Sequence, residues 1–420
     1  MIPADVLGIG DDPIWRRRFD WYLGVADNRL PAKFRLAAAI AAELDLASAA
    51  VADLWAHLDT LTATLVDLRR SAADGEVVPV AEANPSLLSL VSELAQRSLA
   101  ACDFCAWDCG VDRATETKFG TCKLGNASRV STFFHHQGEE LIYRGRLGSG
   151  TIFFTSCNMR CAFCQNGDIS TDKDNGKTVD AHGLAAMAWM LRREGCHNIN
   201  WVGGDPTIHL HTILEAIRIL GHERDQLNRF DLAEAALVKA DPAHRGTLDP
   251  ALSSHRGLFN VPMLWNSNFI MSEAAMRLLR PVIDIWLPDF KFGPGPCAKE
   301  LARTPWYWTV VTRNLAAVHA WGEPLTIRHL VMPNHVDCCT RPVLEWIAEN
   351  LPGVPVNVMA QYHPDTFTDP RNPGYRDKYE PLARRPSRSE LAESYEIARD
   401  LGIVFEGITF EGVDPRGFFV

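Results

Sequence analysis

The chain has 420 residues, of which 47% are hydrophobic and 22% are charged, and its formal net charge is −10. This length allows one large domain with a smaller one, and the composition is typical of a soluble globular protein. The negative charge argues against a nucleic-acid-binding protein, because phosphate recognition requires a clustered basic surface. Because no long apolar run and no basic-then-apolar start occurs, we expect no membrane span, no signal peptide and a cytoplasmic location.

The chain divides by pattern into four parts. Residues 1–98 are predicted to be a helical N-terminal region, and residues 99–150 a small four-cysteine metal module. From residue 151 to about 370, short apolar runs alternate with helical patterns, apart from an insertion at about 222–258. Residues 371–420 are expected to pack on this core as a C-terminal extension.

The alternating part determines the predicted fold. Six strand signals precede helical patterns, at residues 151–155, 198–202, 261–265, 283–287, 325–332 and 354–359. Strands that alternate with helices form a parallel sheet covered by helices, so we predict an α/β protein built on a partial (β/α)6 barrel. In such a barrel the reactive groups lie at the carboxyl ends of the strands.

Eleven cysteines make metal or redox use the leading interpretation, because cytosolic chains rarely keep that many thiols in disulfides. Cys157, Cys161 and Cys164 form a Cys-x3-Cys-x2-Cys loop directly after the first predicted barrel strand. Three thiolates can hold three irons of a cubane cluster and leave one iron open, whereas a structural cluster needs a fourth cysteine. An open metal position is typical of a catalytic site. The alternative is a zinc knuckle that takes a fourth ligand from elsewhere.

With Phe163 before its last cysteine, this loop resembles the signature of the radical S-adenosylmethionine (SAM) superfamily. The resemblance implies an enzyme whose 4Fe–4S cluster binds SAM at the open iron and cleaves it reductively. The 5′-deoxyadenosyl radical then abstracts hydrogen from a substrate. It also implies that Phe163 packs near the adenine. The cofactors carry the chemistry, while the protein positions them and excludes water.

A glycine-rich segment follows the second predicted strand, Gly203-Gly204-Asp205-Pro206. Glycines allow a close backbone approach. The segment is similar to the Gly-Gly-Glu-Pro segment of the superfamily, whose main chain contacts the SAM amino group. Asp205 replaces the usual glutamate, which changes little if the contact is made by the main chain. An ordinary turn is the alternative interpretation.

Later segments resemble the activating enzymes of glycyl radical proteins. The resemblance implies cofactor contacts from Asn266, Asn268, Asp289, Lys291, Arg328 and His363. Lys291 and Arg328 would supply positive charge for the SAM carboxylate, and the asparagines and Asp289 would reach ribose hydroxyls or a monovalent cation. Each residue has a structural alternative, since Asp-x-Lys is often an ordinary ion pair and a lone histidine is usually a satisfied polar group.

A second cysteine motif lies before the barrel, with the ligands Cys102, Cys105, Cys109 and Cys122. Four thiols complete a ligand set for structural zinc or for an auxiliary iron–sulfur cluster, and both remain open. The motif followed by the radical SAM loop resembles the pyruvate formate-lyase-activating-enzyme-like iron–sulfur family.

Four further cysteines lie after this pair of motifs. The segment that contains His335, Cys338 and Cys339 also resembles the corresponding segment of that family. The adjacent thiols could donate hydrogen, bind a metal or simply pack. Cys196 and Cys297 are expected to be inert.

Three functions are consistent with these motifs. The first is a radical SAM enzyme that acts on a small molecule or peptide, and the second is an activase that installs a glycyl radical on a partner protein. Both need a reducing donor of the flavodoxin or ferredoxin type. The third is a non-catalytic zinc-binding scaffold, which metal analysis distinguishes from the other two.

Overall fold

The computed structural model describes residues 13–222 and 253–411. Most of the predicted insertion and the end of the C-terminal extension therefore lie outside the described residues. The chain begins with helices α1 (Pro13–Ala26), α2 (Lys33–Ala39), α3 (Val51–Ala73) and α4 (Leu87–Arg97). The α4 helix starts where it does because the Ser86 side chain accepts a hydrogen bond from the Ser89 N–H, which satisfies a free helix N-terminus.

A mixed sheet of six strands follows the helices. Its strands are β1 (Ser128–His136), β2 (Ser149–Phe154), β3 (Lys177–Val179), β4 (Ile199–Gly203), β7 (Met263–Ser267) and β8 (Ile285–Pro288). Their order in the sheet is β3-β1-β2-β4-β7-β8. Strands β2, β4, β7 and β8 run parallel, whereas β1 is antiparallel to β2 and to β3. A separate small hairpin contains β5 (Ser254–His255) and β6 (Leu258–Phe259).

Two more parallel strands, β9 (Ile327–Leu330) and β10 (Val356–Met359), continue the series beside β8. Parallel bridges join Trp286 to Leu325 and Asp289 to Arg328. A strand thus overlaps each of the six predicted strand signals, and the α/β class is confirmed. The antiparallel pairing of β1 was not predicted, because its residues fall within the range assigned to the four-cysteine module.

Helices connect and cover these strands. Their bounds are α5 (Leu141–Arg144), α6 (Gly167–Ser170), α7 (Ala181–Arg193), α8 (Leu210–His222), α9 (Glu273–Leu279), α10 (Cys297–Ala302), α11 (Tyr307–Ala320), α12 (Arg341–Asn350), α13 (Arg388–Asp400) and α14 (Glu406–Thr409). Side-chain caps fix the starts of α7 and α9, where Asp180 and Ser272 each accept a backbone N–H. Within the described ranges, no helix combines the length and apolar character needed to cross a membrane.

The N-terminal helices are fastened to the amino ends of the central strands. Buried Asp284, directly before β8, accepts hydrogen bonds from Trp21 Nε1 at 2.9 Å, the Lys33 N–H at 3.0 Å and the Met263 N–H at 2.9 Å. One hydrophobic core runs from Trp21 in α1 to Phe405 near the end of the described chain. The opposite, carboxyl ends of the strands carry the cysteine loop and the polar segments described next.

Candidate functional site

The cysteine loop (residues 157–164) starts just after β2, and Ser156 makes the turn with a φ of +66°. Two distant segments hold its backbone. The Ala162 N–H donates to Leu301 O in α10 at 2.7 Å, and the Phe367 N–H donates to Ala162 O at 2.9 Å. Thr366 Oγ1 also donates to Cys164 O at 2.6 Å. The loop shape is therefore set by α10 and by the segment after β10.

The three thiols of the loop differ in exposure, since Cys157 is buried whereas Cys161 and Cys164 are partly exposed. Burial raises the pKa of each thiol, to about 12 for Cys161, and for both Cys157 and Cys161 the charge of a neighbouring loop thiol adds to the rise. Their sulfurs do not form a set within 4.8 Å of one another among the described residues. Sulfur ligands of a single zinc lie about 3.8 Å apart, so the three thiols are not arranged around one zinc ion.

Amide groups surround the Cys157 sulfur. The Met159 N–H lies 3.3 Å from it and Asn268 Nδ2 lies 3.6 Å from it. Asn268 Nδ2 also donates to Asn158 Oδ1 at 2.6 Å, while the buried Asn158 Nδ2 has no hydrogen-bond partner within the described chain. N–H donors stabilise a thiolate, and an orphaned buried donor is a group that a bound cofactor can satisfy. The site therefore fits a cluster with a ligand beside it, and Asn158 is a residue that the sequence analysis missed.

Gly203 and Gly204 lie where the end of β4 presses against the start of the cysteine loop. Gly203 has a φ of +126°, and a Cβ atom there would overlap the Phe154 backbone. A Cβ atom on Gly204 would overlap the Ser156 carbonyl oxygen. The glycines were predicted to allow a ligand to approach closely, and the structure shows a close approach of this chain's own backbone.

Asp205 braces the same region. Its buried carboxylate accepts hydrogen bonds from the Thr207 N–H at 2.9 Å and the Asn268 N–H at 3.0 Å. Burial raises the pKa of Asp205 to about 6. The carboxylate links the end of β4 to the segment after β7, where Asn268 contacts the Cys157 sulfur. The neighbouring Asn266 is buried within β7.

Asp289 and Lys291 follow β8 and form a partly buried ion pair, with Lys291 Nζ 2.6 Å from Asp289 Oδ2. Burial acts to lower the pKa of Lys291, but the charges of Asp289 and Cys161 outweigh it, so the net shift is upward. The Lys291 charge in turn opposes the rise in the pKa of Cys161 and Cys164. The structure thus brings the predicted Asp-x-Lys segment beside the cysteine loop, with its lysine charged.

Aromatic rings join three of the predicted segments. The Phe163 ring centroid lies 6.0 Å from that of Phe292 and 5.7 Å from that of Tyr362. Tyr362 is fixed by a hydrogen bond from its hydroxyl to Leu382 O at 2.8 Å. The next residue, His363, is 41% exposed and its Nδ1 lies 3.1 Å from Pro364 O. Phe163 therefore packs against two aromatic rings, and the partly exposed His363 follows Tyr362 in the chain.

Arg328 has partners that the sequence did not reveal. Its guanidinium pairs with the buried carboxylates of Glu139 and Glu140, and its Nε donates to Glu140 Oε1 at 2.8 Å. Asn357 Nδ2 donates to the same oxygen at 2.9 Å. Burial acts to lower the pKa of Arg328, but the two glutamates outweigh it and the net shift is upward. The positive charge of Arg328 is therefore paired with two carboxylates of the chain itself. The expected partner was the carboxylate of SAM.

The four-cysteine motif lines one pocket, together with Arg113 and Ile208. Its thiols belong to Cys102, Cys105, Cys109 and Cys122. They too do not form a set within 4.8 Å in the described chain. Buried Arg113 fixes the surrounding loops by donating to Gly125 O at 2.9 and 2.7 Å and to Ile208 O at 2.8 Å. A Cβ atom on Gly120 would lie 2.8 Å from Cys109 Sγ. A larger residue at this position would therefore displace the Cys109 thiol.

The four-cysteine motif packs directly on the cysteine loop. Trp107 Nε1 donates to Asn158 O at 2.7 Å, and Ser156 Oγ donates to Cys122 O at 2.5 Å. The Arg160 guanidinium donates to Thr121 O and also to carbonyls within the cysteine loop. Because Cys122 and Cys157 lie next to these contacts, the two thiol sets are neighbours.

Comparison with known proteins agrees with this geometry. The sequence model of the radical SAM superfamily matches residues 151–249. An uncharacterized protein of Methanocaldococcus jannaschii is 33% identical over 395 residues, covering 92% of this chain and 98% of that protein. A crystal structure of Streptococcus suis SuiB bound to the precursor peptide SuiA covers 60% of this chain, with 11% identity and a TM-score of 0.37. This chain spans 46% of the SuiB chain.

The matched residues include β2, the cysteine loop, β4 and the glycines after it. A radical SAM domain implies an enzyme that uses SAM and a 4Fe–4S cluster, which argues against a non-catalytic zinc scaffold. The three neighbouring thiols and the orphaned amide beside them fit that chemistry. The chain belongs to the radical SAM superfamily.

Proposed function

We propose that this chain cleaves SAM reductively at a 4Fe–4S cluster held by Cys157, Cys161 and Cys164, yielding a 5′-deoxyadenosyl radical that abstracts hydrogen from a substrate. The observation that carries the proposal is the environment of the three thiols, in which Cys157 is buried and, among the described residues, amide groups of Asn158, Met159 and Asn268 contact its sulfur. Three thiolates leave one iron of a cubane free for another ligand.

The surrounding residues have positioning roles in this proposal. The six parallel strands would curve into a partial barrel whose mouth carries the cysteine loop. Lys291 would bind the SAM carboxylate, since its charge lies beside two of the thiols and it is the cation that Asp289 orients. Phe163 and Tyr362 would provide an apolar wall for the adenine, and Asn158 would donate its free N–H toward the bound ligand.

Anaerobic reconstitution tests the proposal. The full chain would be purified without oxygen, supplied with iron, sulfide and dithionite, and incubated with SAM. We expect iron to bind and 5′-deoxyadenosine to form only when reductant is present. Protein that binds iron at the loop but releases no 5′-deoxyadenosine would contradict the proposal.

Replacing Lys291 with glutamine is expected to weaken SAM binding by about 30-fold. The change removes a charge-assisted hydrogen bond of about 2 kcal/mol. Equilibrium binding of SAM to the reconstituted protein measures the effect. Lys299→Gln is the matched control, because Lys299 is exposed on α10 and its loss should leave affinity unchanged. Equal SAM affinity in Lys291→Gln and wild type, with iron content intact, would remove Lys291 from the site.

For the four-cysteine motif we propose an auxiliary 4Fe–4S cluster in preference to zinc. Support comes from the four thiols, which line one pocket and, among the described residues, are not gathered within 4.8 Å of one another as the ligands of a single ion would be. The direct contacts with the cysteine loop suggest a role in passing an electron from a flavodoxin- or ferredoxin-like donor. Reduced thiols are needed throughout, and all eleven cysteines are free, which favours a cytosolic location.

Replacing Cys122 with serine is expected to lower bound iron from about eight to about four atoms per chain, because one of two 4Fe–4S clusters is lost. Iron and sulfide analysis of reconstituted protein measures the change. Zinc content should not fall. If Cys122→Ser instead loses one zinc and keeps all of its iron, the motif is a zinc site.

The substrate class stays broad in this proposal. A small molecule, a peptide or the glycine of a partner protein could each donate the hydrogen. An activase acting on a glycyl radical protein is the narrower form, and radical formation on a candidate partner would be followed by electron paramagnetic resonance.

A further inference from the structure

Four ligand-type side chains from two separate segments meet outside the site described above. Cys297 begins α10, while His335, Cys338 and Cys339 lie between β9 and α12. Their ligand atoms all lie within 4.8 Å of one another. Within residues 13–222 and 253–411, this is the set of Cys, His and acidic groups compact enough to surround one ion. Cys297 was expected to be inert. Cys297 and His335 lie 38 positions apart in the sequence, so the sequence did not predict that their side chains are neighbours.

The separations match the edges of a tetrahedron. Cys297 Sγ lies 3.6 Å from both His335 Nδ1 and Cys338 Sγ, and His335 Nδ1 lies 3.2 Å from Cys338 Sγ. Cys339 Sγ lies 4.0 Å from Cys338 Sγ and 3.9 Å from His335 Nδ1. Tetrahedral zinc with Zn–S bonds of about 2.3 Å and Zn–N bonds of about 2.0 Å gives edges of about 3.5–3.8 Å. The four atoms are therefore arranged around a point that suits one zinc ion.

Local backbone structure explains how two adjacent cysteines reach the same point. Val336–Thr340 forms a π-helical turn, in which the Thr340 N–H donates to His335 O at 3.2 Å. Such wide turns are frequent at functional sites. Gly293 packs against the turn so closely that a Cβ atom there would overlap the Cys338 carbonyl oxygen. The segment after β8 thus holds the turn in position.

We propose that Cys297, His335, Cys338 and Cys339 bind one structural zinc ion, separate from both iron–sulfur motifs. Three thiolates and one imidazole form a complete ligand set, which leaves no open position for substrate. A disulfide needs a sulfur–sulfur distance of about 2.05 Å, much shorter than the separations here. Binding would proceed with release of the thiol protons and without any change in oxidation state.

The position of the site gives the ion a structural role. It would join α10 to the turn before α12, and α10 also supports the cysteine loop, since Leu301 O and Ala302 O accept the Ala162 and Arg160 N–H groups. Zinc at one end of α10 would thereby stiffen the platform on which the catalytic thiols are arranged. This role does not depend on the proposed reaction.

Metal analysis of full-length protein purified without oxygen tests the site. We expect about one zinc per chain in wild type, and at least a tenfold loss of zinc in Cys297→Ser and in Cys338→Ser. Cys196→Ser is the matched control, because Cys196 is also buried but lies outside the set, and it should keep its zinc. Wild type without zinc, or Cys297→Ser with undiminished zinc, would overturn the proposal.

X-ray absorption at the zinc edge of the wild-type protein decides the matter even if a variant fails to fold. The expected spectrum has three sulfur ligands at about 2.3 Å and one nitrogen ligand at about 2.0 Å. Four sulfur ligands would place the zinc in the four-cysteine motif instead. Iron in the place of zinc would contradict the assignment of the metal. Because none of these measurements uses SAM, their failure is distinguishable from failure of the proposed reaction.

Discussion

Cys161→Ala is expected to reduce 5′-deoxyadenosine formation by a factor on the order of a thousand or more, which corresponds to more than about 4 kcal/mol of activation free energy. Cys161 is the central thiol of the loop, and two remaining thiolates cannot hold the cubane in place. The measurement is 5′-deoxyadenosine per chain after anaerobic reconstitution, with iron counted in the same sample.

The iron count makes this prediction specific. In Cys161→Ala we expect iron to fall by about four atoms per chain, leaving the auxiliary cluster in place. Cys196→Ala is the control, because it removes a buried thiol that lies beside His135, away from the loop. Appreciable 5′-deoxyadenosine from Cys161→Ala, or an equal loss in the control, would contradict the assignment of the loop as the cluster site.

The sequence was sufficient for features that depend on local pattern. Three thiols within eight positions, coming directly after an apolar run, identify the cysteine loop without knowledge of any contact. Alternation of strand and helix signals likewise predicted all six parallel strands, because burial on both faces makes such strands apolar along their length. Residue spacing and hydrophobicity are properties of the sequence itself, so features that depend on them can be predicted without a structure.

Contacts between distant segments could not be predicted in this way. Arg328 was expected to supply positive charge for the SAM carboxylate. Its partners Glu139 and Glu140 are almost two hundred residues away and belong to the predicted four-cysteine module. Cys297 was expected to be inert, and only the fold brings it to His335. In both cases the partner lies in a distant segment and could not be identified from the sequence.

For Gly203 and Gly204, the structure differs from the prediction in the reason why a glycine is needed. Their position after β4 was identified correctly, but the reason given was approach of a ligand to the main chain. The structure supplies a second reason, since Gly204 lies against Ser156 O and Gly203 against the Phe154 backbone. A glycine pattern indicates that something must come close, and the sequence does not state whether that neighbour is a cofactor or the protein itself.

Gly204→Ala is accordingly expected to destabilise the protein by about 3 kcal/mol or more, even before SAM is added. An added Cβ atom would overlap a backbone carbonyl oxygen, which cannot move aside as a flexible side chain would. Relief requires β4 to shift away from the start of the cysteine loop, so the Cys157 thiol should also lose its place. Thermal unfolding of the metal-free protein, together with iron uptake, measures both effects.

Gly295→Ala is the matched control for this change. Gly295 is exposed in the segment before α10, has no positive φ, and a Cβ atom there would meet nothing within 4 Å. The same substitution should therefore leave stability within about 0.5 kcal/mol of wild type. If Gly204→Ala is as stable as Gly295→Ala but binds SAM weakly, the glycine serves the cofactor. If both stability and iron binding fall, the glycine is needed first to let β4 pack against the cysteine loop.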